Sequence, residues 1–570
     1  ADPNVHESTY ALSLTVNTPA WSALNGNFTL TDNYYADLSP TAWSKGEFYL
    51  PDYSVGRLIE TPDEINGLID RFLAADGYEV NRALVTGYHF VQDSADRINT
   101  TLTNDGVPTD ATLIGYTWPG SQLRDLQLKT EPRFDLQSIN GHANHTTEIA
   151  PDGDNITAAQ IISAAIDLSQ ALIYTVGCHA GLNDPASLDL AQAFARQGAN
   201  YVANTGYGWG SDGITYSEAL MRNYTLMLLK GQAVELGQAL LLAKQRYYSQ
   251  TLSLDGYDEK VLLEATFYGL PMTVITTGAT FDEENPFPSV AVTATTPPGA
   301  FGELTVGGLK AVLPGSFGAF DEITRTGQGE FYALDGSVHT RSGEPLQPRF
   351  YADVSAPQAG VLRGVLFLGG VYTDRVGFDP VIARPFNEYV TATVEPAFEA
   401  AGWYPPLPFD FTSRGVLTAT SAMVSTVLGQ FNAQAGTERL YDQVTLATYF
   451  SGDSDTQPPR LTYLDGVLNA SQDRGLLKVE ATDPAGVVRV VATFTTGGGV
   501  WASRDLTYNA STLRWTGEIT ATPTTRYFIQ VVDGAGNVGT AHNKGRYYAL
   551  AAAVPPVNVQ RVYLPVLRKT

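Results

Sequence analysis

Near residue 282 the chain changes its periodicity, and that change limits the architectures open to it. Before it, apolar runs of strand length alternate with apolar residues at helical spacing. After it, short alternating runs between Gly and Pro turns dominate. The first pattern is satisfied by a mostly parallel sheet with helices on its faces, and the second by β-sandwiches. The junction, Asp282-Glu283-Glu284-Asn285-Pro286, is acidic and ends on proline.

In the first region, Thr61-Pro62-Asp63-Glu64 carries a helix start: a capping Thr, a Pro in the first turn and a Glu that closes a capping box. Ile65, Leu68, Ile69 and Phe72 follow at helical spacing. Ala83–Gly87, Ala111–Gly115, Phe134–Ile139, Ala171–Val176, Ala199–Ala203 and Met272–Thr276 read as strands. Asp93–Leu102, Ala158–Ala165, Leu188–Gln197, Ser217–Leu229 and Ala233–Tyr248 read as helices. Residues 1–35 read as strand-like, with clear alternation over Tyr10–Val16. The predicted division is an α/β domain over 1–280, a β-sandwich with a few helical insertions over 287–455, an immunoglobulin-like sandwich over 460–548 and an extended tail over 553–570. Asp453-Ser454-Asp455-Thr456-Gln457-Pro458-Pro459 is the linker, and Trp515 is a core or edge aromatic of the last sandwich. That sandwich resembles the accessory immunoglobulin-like modules of secreted bacterial proteins. Two of its turns share one design, Asp483-Pro484-Ala485-Gly486 and Asp533-Gly534-Ala535-Gly536-Asn537.

Charge excludes some partners. With 35 Lys and Arg against 59 Asp and Glu, the net charge is −24, which repels a phosphate backbone. No apolar run is long enough to span a bilayer. Cys178 is the single cysteine, so no disulfide forms within the chain. Few Lys and Cys among abundant Thr, Tyr, Asn and Gly read as a bacterial exported protein, placed outside the cell or on its surface. Ala1-Asp2-Pro3 reads as an end left by signal removal or by cloning. Sequons stand at Asn27, Asn99, Asn144, Asn155, Asn223, Asn469 and Asn509, through glycosylation or through chance in a Thr- and Asn-rich chain.

Two predicted strands deliver chemistry at their carboxyl ends, where ligands collect in an open α/β sheet. One ends in Gly141-His142 and the other in Gly177-Cys178. A thiol needs a base within reach, and an imidazole can take its proton and pass it to a leaving amine. Backbone N–H groups around Cys178 would then be the oxyanion donors. A lone cysteine is also an ordinary small buried hydrophobe. His145 and His179 compete with His142 for the base role, although strand alternation turns His179 away from its neighbour Cys178. A zinc site from His142, His145, His179 and Cys178 matches no standard spacing.

Asp32-Asn33-Tyr34-Tyr35-Ala36-Asp37-Leu38, then Pro51-Asp52-Tyr53-Ser54-Val55-Gly56-Arg57-Leu58 and the capped helix, resemble the entry to the gingipain-like cysteine peptidases. Ile139-Asn140-Gly141-His142 resembles their strand ending in Gly-His. Thr175-Val176-Gly177-Cys178-His179-Ala180-Gly181 resembles their nucleophile turn, and Phe267-Tyr268-Gly269-Leu270-Pro271 their closing segment. The likeness is colinear over about 30–278. It implies a caspase-like α/β fold with a β-sandwich behind it, Cys178 as nucleophile, His142 as base, and N–H groups of Cys178 and Ala143 at the oxyanion. It also implies that Trp209, in Thr205-Gly206-Tyr207-Gly208-Trp209, walls a substrate pocket. Asp93, Asp96 and Asp212 are candidates for an acidic floor, although a solvated helix face accounts for Asp93 and Asp96. Three positions depart from the family pattern. Ala143-Asn144 stands for Gly-Ser, Gly177 for Ala, and Leu270 for Asp. The family's acidic partner of the His would fall near Phe90, where no carboxylate stands.

These observations favour an exported cysteine endopeptidase with a Cys-His dyad, acting on proteins or peptides and requiring no cofactor. Calcium could sit at the acidic turns Asp152-Gly153-Asp154-Asn155 or Asp453-Ser454-Asp455. The alternative is a structural or adhesive surface protein, or a filament subunit, built on a degenerate peptidase fold. It would self-associate through a terminal strand such as Tyr10–Val16 or Val557–Leu567. A glycan-binding module is a third reading, for which no aromatic repeat speaks.

Overall fold

The computed structural model describes most of residues 14–277 and 320–552, with the strands Val292–Thr295 and Gly308–Val312. Segments 1–13, 278–291, 296–307, 313–319, 354–360, 385–397, 413–422 and 553–570, and a few shorter stretches, lie outside the described residues. The predicted tail and most of the Tyr10–Val16 strand fall there.

Six strands build the main sheet: β1 (Ala83–Gly87), β2 (Thr109–Ile114), β3 (Leu136–Asn140), β4 (Leu172–Thr175), β5 (Asn200–Asn204) and β6 (Ala265–Tyr268). Their order is β6-β5-β4-β3-β1-β2, with β1 to β5 parallel and β6 antiparallel at one edge. The helices are α1 (Pro62–Ala74), α2 (Gln92–Asn104), α3 (Gly120–Gln127), α4 (Ala158–Ala164), α5 (Leu190–Arg196), α6 (Tyr216–Leu228), α7 (Leu236–Gln250) and α8 (Gly256–Glu264). They cover both faces. Val85, Leu172, Tyr174 and Val202 point to one core with α2, α6, α7 and α8, while Leu84, Ile173 and Tyr201 point to the other with α1, α3, α4 and α5. Two-sided burial is why these strands read as continuous apolar runs. The Thr61 capping box forms as predicted.

The structure corrects several expectations. Residues 19–25 are helical, not strand-like, because Ala20 and Leu24 lie one turn apart and bury against Leu182. Helices α3 and α8 were not expected. The region over 287–455 shows no helix among its described residues. The two β-units are also not separate. Val361–Val376 pairs with Thr437–Ser451 on one side and, at Gly370 and Val371, with Val500–Asp505 on the other. One sheet of 11 strands therefore runs through the predicted boundary. Phe367, Tyr441, Trp501, Phe528 and Tyr547 share a core across it. The last unit closes as two facing sheets over Leu477, Val479, Val490, Trp515, Ile519 and Ile529, with Trp515 in the core.

A buried polar knot ties the entry segment to the α/β unit. Asn33 Nδ2 donates to the carbonyls of Tyr49 at 2.9 Å and Leu262 at 3.0 Å. Lys244 Nζ donates to Asn33 Oδ1 and to the Ala265 carbonyl, both at 2.7 Å. Burial pulls the Lys244 pKa down to about 7. The folded chain thus holds this proton less tightly than the unfolded chain, whose lysine keeps its ordinary value of 10.5. Unfolding takes up a proton between those values, so stability rises with pH through this window, by at most about 1.4 kcal/mol per pH unit. Lys244→Met should flatten that rise, and urea unfolding at about pH 7 and about pH 9.5 measures it.

Candidate active site

In a sheet of order β2-β1-β3-β4-β5, successive connections run to opposite sides of β1, so the strand order reverses between β1 and β3. A crevice opens at the carboxyl ends of the strands at such a point. His142 follows β3 and Cys178 follows β4, its neighbour. Ile139 pairs with Thr175, the last pair of that ladder, so the two chains leave the sheet from neighbouring positions.

Packing confirms that the two strand ends touch. A Cβ placed on Gly177 would stand 2.6 Å from the Ala143 Cβ and 3.5 Å from the Gly141 carbonyl oxygen. His142 opens a short strand, His142–Asn144, that pairs with Thr147–Ile149. The His142 ring, half-buried, meets Tyr88 edge-on, with centroids 5.1 Å apart. Tyr88 leaves the end of β1 and packs edge-on against Trp118. Tyr88 was not singled out from the sequence. The available signal was its place after Gly87, at the carboxyl end of the strand beside β3.

Cys178 is 3% exposed, and its Sγ lies 3.5 Å from the Gly208 carbonyl that accepts from it. The thiol sits in a tight turn rather than on a strand, so strand alternation does not apply to His179. His179 has φ +54°, a conformation that strains a non-glycine residue. Its N–H donates to the Gly206 carbonyl at 2.6 Å, and its ring packs on Tyr207. The turn that carries Cys178 is thereby fastened to the 205–209 loop. His145 is buried, with its pKa down to about 4, through burial first and then the neighbouring His179. It is neutral near pH 7. The ligand atoms of His142, His145, His179 and Cys178 do not converge as a metal site among the described residues.

Trp209 is not on the surface of its glycine-rich loop. It is 4% exposed, held by Tyr257 of α8 and by Ser217, whose Oγ accepts its backbone N–H at 3.1 Å. Ser211 Oγ of the same loop donates to the Arg384 carbonyl in the β-half at 3.1 Å. Asp93 is exposed in the first turn of α2, where it accepts from the Ser94 N–H at 2.9 Å. Asp96 is exposed on the same helix. Asp212, His89 and Phe90 lie outside the described residues. Glu218 on α6, wholly buried, was passed over in the sequence. Burial, and then the charge of Asp93, push its pKa well up. Glu148, paired with Ala143 across the hairpin, is pushed up to about 7 by burial. The carboxylates of the Asp152 turn are taken by protein donors: Arg124 grips Asp154 at 2.8 and 3.0 Å, and Asp152 accepts from the Gly120 N–H at 3.0 Å. A cavity of about 370 Å³ between the α/β unit and the β-half is lined by Tyr216, Asp255, His339 and Tyr404 and includes neither Cys178 nor His142.

Comparison with known proteins bears on this arrangement. Residues 8–276 match the family model described as peptidase family C25. Similar solved structures include one described as a protease, 15% identical, covering 54% of this chain and 71% of that one, with a TM-score of 0.31. Another is the complex of pro- and mature domains of RgpB from Porphyromonas gingivalis, 12% identical, covering 28% and 86%, with a TM-score of 0.19. A third is gingipain K from Porphyromonas gingivalis in its latent zymogen context, 13% identical, covering 30% and 96%, with a TM-score of 0.19. No curated protein matches. The α/β unit, over residues 8–276, belongs to peptidase family C25, the gingipain family of cysteine peptidases.

Proposed function

We propose that this protein is an exported bacterial cysteine endopeptidase, working outside the cell or at its surface, with Cys178 as nucleophile and His142 as base. The observation that supports this reading is the packing of Gly177, beside Cys178, against Ala143 and the Gly141 carbonyl, on either side of His142, at the ends of neighbouring strands. In the reaction, His142 takes the thiol proton as Sγ bonds to the scissile carbonyl carbon. The N–H groups of Cys178 and Ala143 receive the oxyanion. His142 then gives its proton to the leaving amine, and water releases the acyl group from sulfur. These steps draw on side chains and water alone. A basic side chain in the substrate would need an acidic partner, for which Asp93, exposed at the start of α2, is the candidate among the described residues.

A second reading, a scaffold or self-assembling surface protein on a degenerate peptidase fold, is favoured by the burial of Cys178, which belongs to the apolar core of that face of the sheet. A thiol-directed covalent peptide probe separates the two. The peptidase reading expects one label per chain on Cys178, blocked by a competing peptide and absent in Cys178→Ala. A parent chain that stays unlabelled while folded supports the scaffold.

A further inference from the structure

The linker and the two turns of common design meet at one end of the last sandwich. Asp455 comes from the linker. Asp483 comes from the turn between Arg474–Thr482 and Val487–Thr495, and Asp533 from the end of Arg526–Asp533. One carboxylate oxygen from each lies within 4.8 Å of the others, the one such grouping of His, Cys, Asp or Glu among the described residues. Asp533 is wholly buried, and the neighbouring charge it feels is Asp483, another negative one.

Most of these oxygens already serve their turns. Asp533 Oδ1 accepts from the N–H groups of Ala535 and Asn537, each at 2.9 Å, and Oδ2 from Asn537 Nδ2 at 2.9 Å. Asp483 Oδ1 accepts from the Ala485 N–H at 2.7 Å, and Asp455 Oδ1 from the Gln457 N–H at 3.0 Å. Asp455 Oδ2 is different. It has less than 1 Å² of exposed surface and accepts no hydrogen bond among the described residues. A carboxylate oxygen withdrawn from water without a donor is destabilising, and two further carboxylates beside it add repulsion. A cation among the three reverses the sign of both effects.

We propose that Asp455, Asp483 and Asp533 bind one calcium ion, and that the ion clamps the linker to the last sandwich. An all-oxygen donor set supplied by flexible turns suits calcium. Zinc favours nitrogen and sulfur, and magnesium demands near-ideal octahedral geometry. Without the ion, the linker is held there by Asn537 Nδ2 on the Asp455 carbonyl at 3.3 Å and by Arg363 on the Asp453 carbonyl. Calcium would add a charge-based tether at the point where the shared sheet passes from one β-unit to the next. Affinity in the range of extracellular modules is expected, a Kd of about 10⁻⁴–10⁻³ M.

The test is calcium titration of the full chain by calorimetry, with thermal unfolding in EDTA and in about 5 mM calcium chloride. The parent should bind calcium, and its β-region transition should rise by about 5 °C. Asp455→Asn and Asp483→Asn should lose one bound calcium and the shift, while keeping the parent's circular dichroism and melting in EDTA. Asp455 sits in the linker, so its amide does not threaten the fold, whereas Asp533 also holds its own turn and is left intact. No calcium heat and no shift in the parent would overturn the proposal, and so would variants that keep the parent's full response.

Discussion

Gly177→Ala should cut turnover and Cys178 labelling by about 100-fold, and Ala143→Gly introduced with it should restore most of both. Alone, the new methyl would stand 2.6 Å from the Ala143 Cβ and 3.2 Å from Thr175 Oγ1. Ordinary carbon contacts lie near 3.5–4 Å, so the Cys178 turn or the His142 strand must shift by about 1 Å. Overpacking of this kind costs about 1–3 kcal/mol, and a 1 Å error in a reacting pair costs about 100-fold in rate. Relatives that resemble this chain carry Gly after the His and Ala before the Cys, and this chain carries them the other way round. The structure makes the two departures one event, because a single methyl fills the gap between the strand ends and here it belongs to residue 143. The double variant should therefore lie within about tenfold of the parent. If Gly177→Ala is neutral, or if the second change rescues nothing, the strand ends do not meet as described.

The other large effect falls on the proposed dyad. His142→Ala should lower turnover of a peptide substrate by at least about 1,000-fold with KM little changed, since the imidazole acts on the proton in flight rather than on bound substrate. Cys178→Ala should abolish turnover. His145→Ala and His179→Ala should act through stability or turn geometry instead. Both residues are buried, and His179 is spoken for by Tyr207. A pH profile that keeps the parent's shape in those two variants would separate positioning from proton transfer.

Much of the α/β unit was legible because burial on both faces of a sheet leaves a plain signature. Leu172–Thr175 and Ala83–Gly87 are buried throughout, and no polar alternation obscures them. The strand-end placement of His142 and Cys178 followed from the same runs. Helix α8 was hidden for the opposite reason. Asp258, Lys260 and Glu264 are ionisable types yet buried, which masks the apolar face: Tyr247 of α7 donates to Asp258 at 2.5 Å, and Lys260 lies 3.5 Å from Glu264 one turn on. The burial of Trp209 was hidden with it, since its cover is Tyr257 of that unseen helix. The boundary at Asp453–Pro459 looked decisive because Pro and Asp mark linkers. The long strand Val361–Val376 bridges the units through pairings more than a hundred residues away, and no local periodicity encodes those partners.

In the proposed dyad, His142 governs the reactivity of the Cys178 thiol. The direct measurement is the rate of Cys178 alkylation by a small neutral reagent as a function of pH, in the parent and in His142→Ala, with both shown to be folded by circular dichroism. An adjacent imidazole should set the parent's inflection below that of an ordinary thiol, about 8.5, and slow the variant near neutral pH while moving its inflection up. Superimposable profiles would exclude the proposed dyad, because they would mean that the His142 imidazole does not act on the thiol.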